Sequence, residues 1–295
     1  MDRESWLALR RTGIGGSDAA AALGESPYQT PYELYLDKLG LAPPREETER
    51  MRMGRRLEAV IADEYALTRI VKLRRRNQPV RHPKYPWMLA SPDRLVEGQR
   101  LGLEAKSVDP AAFRFGEWGE EGSDQVPTHY LLQVCHYMCV LDYARWDLAA
   151  LVGGNHLRVY TIHRDVELEE MLIEREHAFW QHVERREPPE PQFEHPSTLP
   201  LLKRLHPGTD GSVIELPPLA DAIHAVRLDF DEQVKTYQAG VDAARARLLH
   251  MMGDAAVGRL PSGGEYRRKV VERSRYEVAA SSYVDFRFNK GKEAQ

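Results

Sequence analysis

Asp93, Glu104 and Lys106 are the residues whose types and spacing could do chemistry together. They lie in SPDRLVEGQRLGLEAKS, Ser91 to Ser107, where two short apolar runs flank the polar turn Glu97-Gly98-Gln99-Arg100. That pattern predicts a β-hairpin. Side chains alternate along a strand, so Gly102, Glu104 and Lys106 share one face while Leu101, Leu103 and Ala105 share the other. Asp93, at the start of the partner strand, reaches the same place. Two carboxylates and an ammonium beside apolar strands are costly unless something is bound there. A hard divalent cation held by Asp93, Glu104 and the backbone carbonyl of Ala105 would offset that cost. Mg²⁺ suits such an all-oxygen site, with Mn²⁺ able to substitute. The cation would polarise a phosphate oxygen and lower the pKa of a bound water. Lys106 would orient that water or stabilise charge in the transition state. The expected chemistry is therefore metal-assisted hydrolysis of a phosphodiester. The plain alternative is a surface hairpin whose charges are merely solvated.

Two further residues extend the constellation. Glu58 falls on a helix expected over Arg50 to Arg69, beside Leu57 and Ile61 on its apolar face. A carboxylate at the edge of a buried stripe needs a partner, and the same metal would serve. On the helix after the hairpin, Tyr130 and Gln133 lie three apart and share a face. Gln133 would bind a phosphate or a metal-bound water. Near the N-terminus, Arg10-Arg11-Thr12-Gly13-Ile14-Gly15-Gly16-Ser17-Asp18 precedes a helix and lacks the Gly-Lys-Ser/Thr of a Walker loop. Ser17 or Asp18 is the expected N-cap. Glycines there let a phosphate approach backbone N–H groups, and Arg10 or Arg11 would complete an anion site.

The elements that must position these residues form an α/β pattern. Short helices are expected at Gly15 to Gly24 and Pro31 to Gly40, and strand periodicity around Trp87 to Lys106. A helix follows over Thr128 to Leu141, then strands at Asp147 to Val152 and Leu157 to His163, and a helix over Val166 to Arg186. Residues 1–187 are read as the catalytic domain, 188–213 as a proline-rich linker and 214–295 as a C-terminal extension. In the extension, Ile223, Val226, Phe230, Val234, Tyr237, Val241, Ala244 and Leu248 recur in steps of three and four on a helix over Leu219 to Met252. That stripe is expected to pack within the same chain, with a partner interface as the alternative. A hairpin over Arg259 to Phe288 turns at Ser262-Gly263-Gly264.

Composition narrows the function classes. A formal net charge of -4 argues against coating DNA by bulk charge, but leaves room for local basic tracks. Arg50, Arg52, Arg55 and Arg56 form one cluster, Lys72, Arg74, Arg75 and Arg76 a second, and Arg267, Arg268 and Lys269 a third. One or two of these would follow a DNA backbone. The two cysteines, Cys135 and Cys139, are too few for an iron–sulfur cluster and are read as reduced core residues. With no signal-like run and no stretch near the ~20 apolar residues of a membrane span, no membrane partner is expected and the location is expected to be cytoplasmic.

The order of motifs resembles a known family. RRTGIGGSDAAAALGESPYQTPYELYLDKLG, MGRRLE, SPD, LEAK and HYLLQVCHYM together resemble the YqaJ-like viral recombinases, grouped with the lambda exonuclease family in the PD-(D/E)XK nuclease superfamily. The resemblance covers about residues 5 to 185. It implies a restriction-endonuclease-like central mixed sheet flanked by helices. It implies that Asp93, Glu104 and Lys106 are the superfamily signature, that Glu58 and Gln133 are the family's helical glutamate and glutamine, and that Arg10 and Ser17 hold a 5′-terminal phosphate. Spacing leaves Arg10 and Arg11 both open. The implied activity is Mg²⁺-dependent degradation of double-stranded DNA from 5′ ends in phage or prophage recombination. The implied partners are DNA ends, a single-strand annealing protein and, in a ring-shaped trimer, copies of the chain itself. An endonuclease on the same fold, or a catalytically silent DNA-end-binding scaffold protein, are the competing readings.

Overall fold

A computed structural model describes residues 3–44, 47–76 and 78–272. The chain divides into two compact units, Met1–Pro207 and Gly208–Gln295.

The first unit opens with α1 (Arg3–Arg11), β1 (Ile14–Gly15), α2 (Gly16–Leu23), α3 (Pro31–Lys38) and α4 (Glu49–Arg69). Short strands follow: β2 (Leu73–Arg74), β3 (Val80–Arg81), β4 (Met88–Ala90) and β5 (Arg94–Val96). Then come β6 (Leu101–Val108), α5 (Pro110–Phe115), α6 (Thr128–Leu141), β7 (Arg145–Val152), β8 (His156–His163), α7 (Val166–Arg185) and α8 (Thr198–Leu205). The central sheet has the order β2-β5-β6-β7-β8, and a small sheet has the order β1-β4-β3. Only β6 and β7 run parallel in the central sheet, so it is mixed. Parallel neighbours need a crossover, and α6 lies in it.

Period-two alternation decides what each face of the sheet meets. Leu101, Leu103, Ala149, Leu151 and Val159 pack with Ile61, Ala62 and Tyr65 of α4. Leu95, Trp146, Leu148, Ala150, Tyr160 and Ile162 pack with residues of α2, α6 and α7. β7 is buried on both faces, hence its near-continuous apolar run. Gly102 is required by its neighbour across the ladder. A Cβ there would sit 2.3 Å from the Trp146 ring. Gly102→Ala should cost about 1–3 kcal/mol through overpacking, seen as a lower urea midpoint; an unchanged midpoint would mean that the ring yields freely.

Two expectations are corrected. The N-cap of α2 is Gly15, not Ser17 or Asp18; Asp18 sits one turn in, and its carboxylate accepts the Gly15 N–H at 3.0 Å. The proline-rich stretch is not all linker. It contains α8, whose Leu201 is fully buried in the main core, so the first unit extends to Pro207. β1, β2, β3 and α5 are too short to carry a readable period, and α1 and α8, at nine and eight residues, lie outside the expected elements although both are amphipathic.

The second unit contains α9 (Leu219–Met252) and a hairpin of β9 (Val257–Arg259) and β10 (Glu265–Arg267). Its turn holds Gly263 and Gly264 at φ 96° and 87°, where glycine is favoured. The expected strands reached Phe288; residues 273–288 lie outside the described residues. No residue of α9 is buried. Within the described residues of its own unit, the expectation that its apolar stripe is packed is therefore not met.

Candidate active site

The centre forms where β5, β6 and α6 converge. β5 and β6 are antiparallel, with Arg94 opposite Leu103. One step further, Asp93 comes opposite Glu104. Asp93 Oδ2 accepts the Ala105 N–H at 2.9 Å, which fixes this carboxylate against the neighbouring strand. Lys106 Nζ donates to Glu104 Oε1 at 2.7 Å and to Gln133 Oε1 at 3.0 Å. Gln133 Nε2 donates to Glu104 Oε1 at 2.6 Å and contacts Tyr137 OH at 3.2 Å. The shared face of Glu104 and Lys106 thus follows from strand alternation, with Gln133 held over it by the crossover helix. Tyr130 also belongs here: the Lys106 ammonium lies 4.9 Å from its ring centroid, a cation–π contact.

The electrostatics are those of crowded like charges. Burial, then the Glu104 carboxylate, hold the Asp93 carboxyl up at about 8; Lys106 opposes them and Glu58 adds to the rise. Burial alone would lower the Lys106 ammonium, but Glu104 and Asp93 more than reverse it, so it stays charged. Burial, then Glu104 and Asp93, raise Tyr137 well above its ordinary range and keep it a neutral phenol.

Glu58 lines the same cavity as Asp93, Glu104, Ala105 and Lys106. Its Oε1, however, accepts from Arg94 at 2.6 Å and Arg75 at 3.1 Å. Among the described residues, no three His, Cys, Asp or Glu side chains converge as a metal-holding group. Glu58 is therefore near the centre but not joined to Asp93 and Glu104. A metal is tested by the oxygen set itself. Glu104 Oε2 is buried with no hydrogen-bond partner. An orphaned carboxylate oxygen, beside a second carboxyl whose hold on its proton burial and Glu104 strengthen, is an arrangement a divalent cation relieves. Asp93, Glu104 and the Ala105 carbonyl fit one.

The glycine-rich opening borders the same space. Trp6, Arg10, Gly15, Gly16, Ser17, Asp93, Glu104, Lys106, Gln133 and Tyr137 line one cavity. Arg10 Nη2 donates to Ser17 Oγ at 3.2 Å and is ion-paired with Asp18. Arg11 does not face this cavity; its guanidinium lies against Gly40. Asp18 also accepts from the buried Lys38 Nζ at 2.6 Å. Burial would raise the Asp18 carboxyl, but Lys38 and Arg10 outweigh it and hold it well below the usual range. Lys38 and Arg10 thus share the Asp18 carboxylate, and Asp37 is a further carboxylate acting on Arg10. Gly16 is needed for this closeness, since a Cβ there would meet the Tyr137 ring at 2.4 Å.

Sequence reasoning missed four residues of this neighbourhood. Lys38 is a buried lysine on α3, with no local signal of its partner. Tyr137 lies four residues after Gln133 on one helix face, a spacing that could have found it. His136 and Glu176 form a buried pair at 2.7 Å, and the other His136 nitrogen bonds the Leu89 carbonyl at 2.9 Å. They tie β4, and with it the approach to Asp93, to α6 and α7. Only the fold brings residues so far apart in sequence together. Cys135 and Cys139, on the same helix, are buried and free.

This fold is one found in exonucleases. It matches the crystal structure of an alkaline exonuclease, LHK-Exo, from Laribacter hongkongensis with a TM-score of 0.51 and 20% identity, over 62% of this chain and 93% of that one. The same protein in complex with dAMP matches with a TM-score of 0.51 and 18% identity, over the same shares of the two chains. At these identities the likeness concerns the fold. Residues 5–144 match the model of the YqaJ-like viral recombinase domain. A curated relative, the uncharacterized protein YqaJ of Bacillus subtilis (strain 168), is 40% identical over 183 residues, which are 61% of this chain and 56% of that protein. The chain thus spans just over half the length of that relative.

Proposed function

We propose that the protein is a Mg²⁺-dependent exonuclease that degrades double-stranded DNA from 5′ ends, leaves a 3′ single strand and serves phage or prophage recombination. One observation carries this reading: the Arg10–Ser17 anion pocket and the Asp93, Glu104 and Lys106 centre line a single cavity. An anion site beside a hydrolytic centre favours a terminal phosphate over an internal stretch of duplex. Asp93, Glu104 and the Ala105 carbonyl would hold Mg²⁺, or Mn²⁺ in its place. When bound, the cation supplies positive charge at a phosphate oxygen and acidifies water. Lys106 holds its proton and offers it to the charge that develops on the phosphate. Gln133 keeps both Glu104 and Lys106 in place. Arg50 and Arg55 of α4 line the adjoining cavity beside Tyr28 and Tyr130, where they would meet a DNA backbone. A single-strand annealing protein is the partner suited to the 3′ strand produced.

The test uses end-labelled linear duplexes with a 5′ phosphate or a 5′ hydroxyl, and covalently closed circles, all with Mg²⁺. The expected result is rapid loss of the phosphorylated duplex, slower loss of the hydroxyl duplex and intact circles. Arg10→Ala should bring the two linear rates together, a loss of about 1.5–3 kcal/mol of charge-assisted binding. Cutting of closed circles would overturn the exonuclease reading in favour of an endonuclease. Unchanged DNA in every arm would leave a silent end-binding protein.

A further inference from the structure

The second unit carries a surface that its own described residues leave open. On α9, Ile223, Val226, Phe230, Val234, Tyr237 and Val241 are all between 46% and 72% exposed. A 34-residue helix with no buried residue has little tertiary support within its own unit. From Phe230 to Leu248 the apolar steps run four, three, four, three, four, which is a coiled-coil seam. Between Val226 and Val234 two steps of four follow one another, a local stutter in that repeat.

We infer that α9 pairs antiparallel with α9 of a second copy of this chain. Charge decides the direction. Beside the seam, Asp231 lies in the first half of the helix and Arg245 and Arg247 lie in the second. A parallel pair would set Asp231 against Val226 and Arg245 against Gly240 of the other copy, so neither would meet an opposite charge. An antiparallel pair places Asp231 beside the second copy's Arg245, and Gln233 beside its Arg247. Within one helix these side chains have only exposed partners, Arg227 for Asp231 at 2.9 Å and Asp242 for Arg245 at 3.5 Å. Exposed pairs of this kind are weak and leave both charges open to a second helix.

The same register stacks the apolar residues. Phe230 meets Leu248, Val234 meets Ala244 and Tyr237 meets Val241, with each layer repeated by symmetry. An independent feature sits where this register puts the Phe230 ring. Leu248, Leu249, Met252 and Tyr266, with Arg245, Arg267 and Arg268, line a cavity between the end of α9 and its hairpin. The second copy's Phe230 would enter it, with its Val226 over Met252. Gly240 falls at the two-fold axis. There a residue that weakens a lone helix by roughly 0.5–1 kcal/mol lets two backbones approach. The four Phe230 and Tyr237 rings would bury about 600–1,000 Å², and the aliphatic layers bring the area to the ~1,200 Å² of a stable interface.

The test is the oligomeric state of the full chain by sedimentation, followed with charge-swapped variants. The unmodified chain should sediment as a dimer or a multiple of one. Asp231→Arg should weaken the pairing about tenfold or more, because it sets two arginines side by side at both ends. Adding Arg245→Asp to the same chain should restore the pairing. A monomer, a trimer, an assembly indifferent to Asp231→Arg, or a double variant that fails to recover would each overturn the proposal. Nuclease assays on the variants report on the first unit and should not change, so a failure here is distinct from a failure of the proposed activity.

Discussion

Lys106→Ala should lower the single-turnover cleavage rate about 10³-fold while DNA binding, measured with Ca²⁺ in place of Mg²⁺, is retained. The magnitude is that of losing one preorganised charged donor at the point where charge develops. Retention of binding follows from position. Lys106 is held inward by Glu104 and Gln133, whereas Arg50 and Arg55 lie on the wall of the adjoining cavity. Removing the ammonium leaves Glu104 with the Gln133 amide as a partner, so the strand keeps its place. A variant that cut at the original rate would show that the centre lies elsewhere. One that lost binding in proportion to cleavage would reduce Lys106 to a backbone contact.

The second large effect is on pH. With its carboxyl held up at about 8, Asp93 binds its proton more tightly in the folded chain than in the unfolded one, whose value is 3.8. Its protonated form therefore stabilises the metal-free fold fully below about 4, and that contribution is lost as pH rises through about 8. A divalent cation prefers the carboxylate and must displace the proton. At sub-saturating Mg²⁺, activity should rise about tenfold per pH unit below 8 and level off above it. More Mg²⁺ should move that inflection to lower pH. The metal-free protein should meanwhile lose melting temperature over the same range, and Asp93→Asn should remove that loss. An inflection indifferent to Mg²⁺ would assign the titration to another group.

Much of the centre could be read before folding because its logic is local. Glu104 and Lys106 share a face through alternation along one strand, and Asp93 joins them through one hairpin. Gln133 needed only a helix placed after that hairpin. Glu58 shows where local logic ends. It does lie beside the cavity, as its place on an apolar face suggested. Yet its partner is Arg94, a residue next to Asp93 whose direction only the hairpin register reveals. Packing also separates Arg10 from Arg11: adjacent residues of a helix point apart, and of the two only Arg10 lines the cavity. Lys38 and the His136–Glu176 pair are satisfied by residues from 20 to 47 positions away. No spacing rule reaches that far. The proline-rich stretch misled for a different reason: prolines discourage regular structure, but α8 is only eight residues long and is held by one buried leucine.

The contact of Gly16 with the Tyr137 ring has a consequence for how DNA would be consumed. Gly16 belongs to the wall that would hold the terminal phosphate, and Tyr137 joins through Gln133 to Glu104. The proposed end pocket and the proposed cutting centre are thus joined by side chains in direct contact, like the stop and blade of a cutter. Under the proposed activity, the length trimmed at each turn would then be a property of the protein and not of the sequence it meets. Every product should be the same size from the first cut to the last.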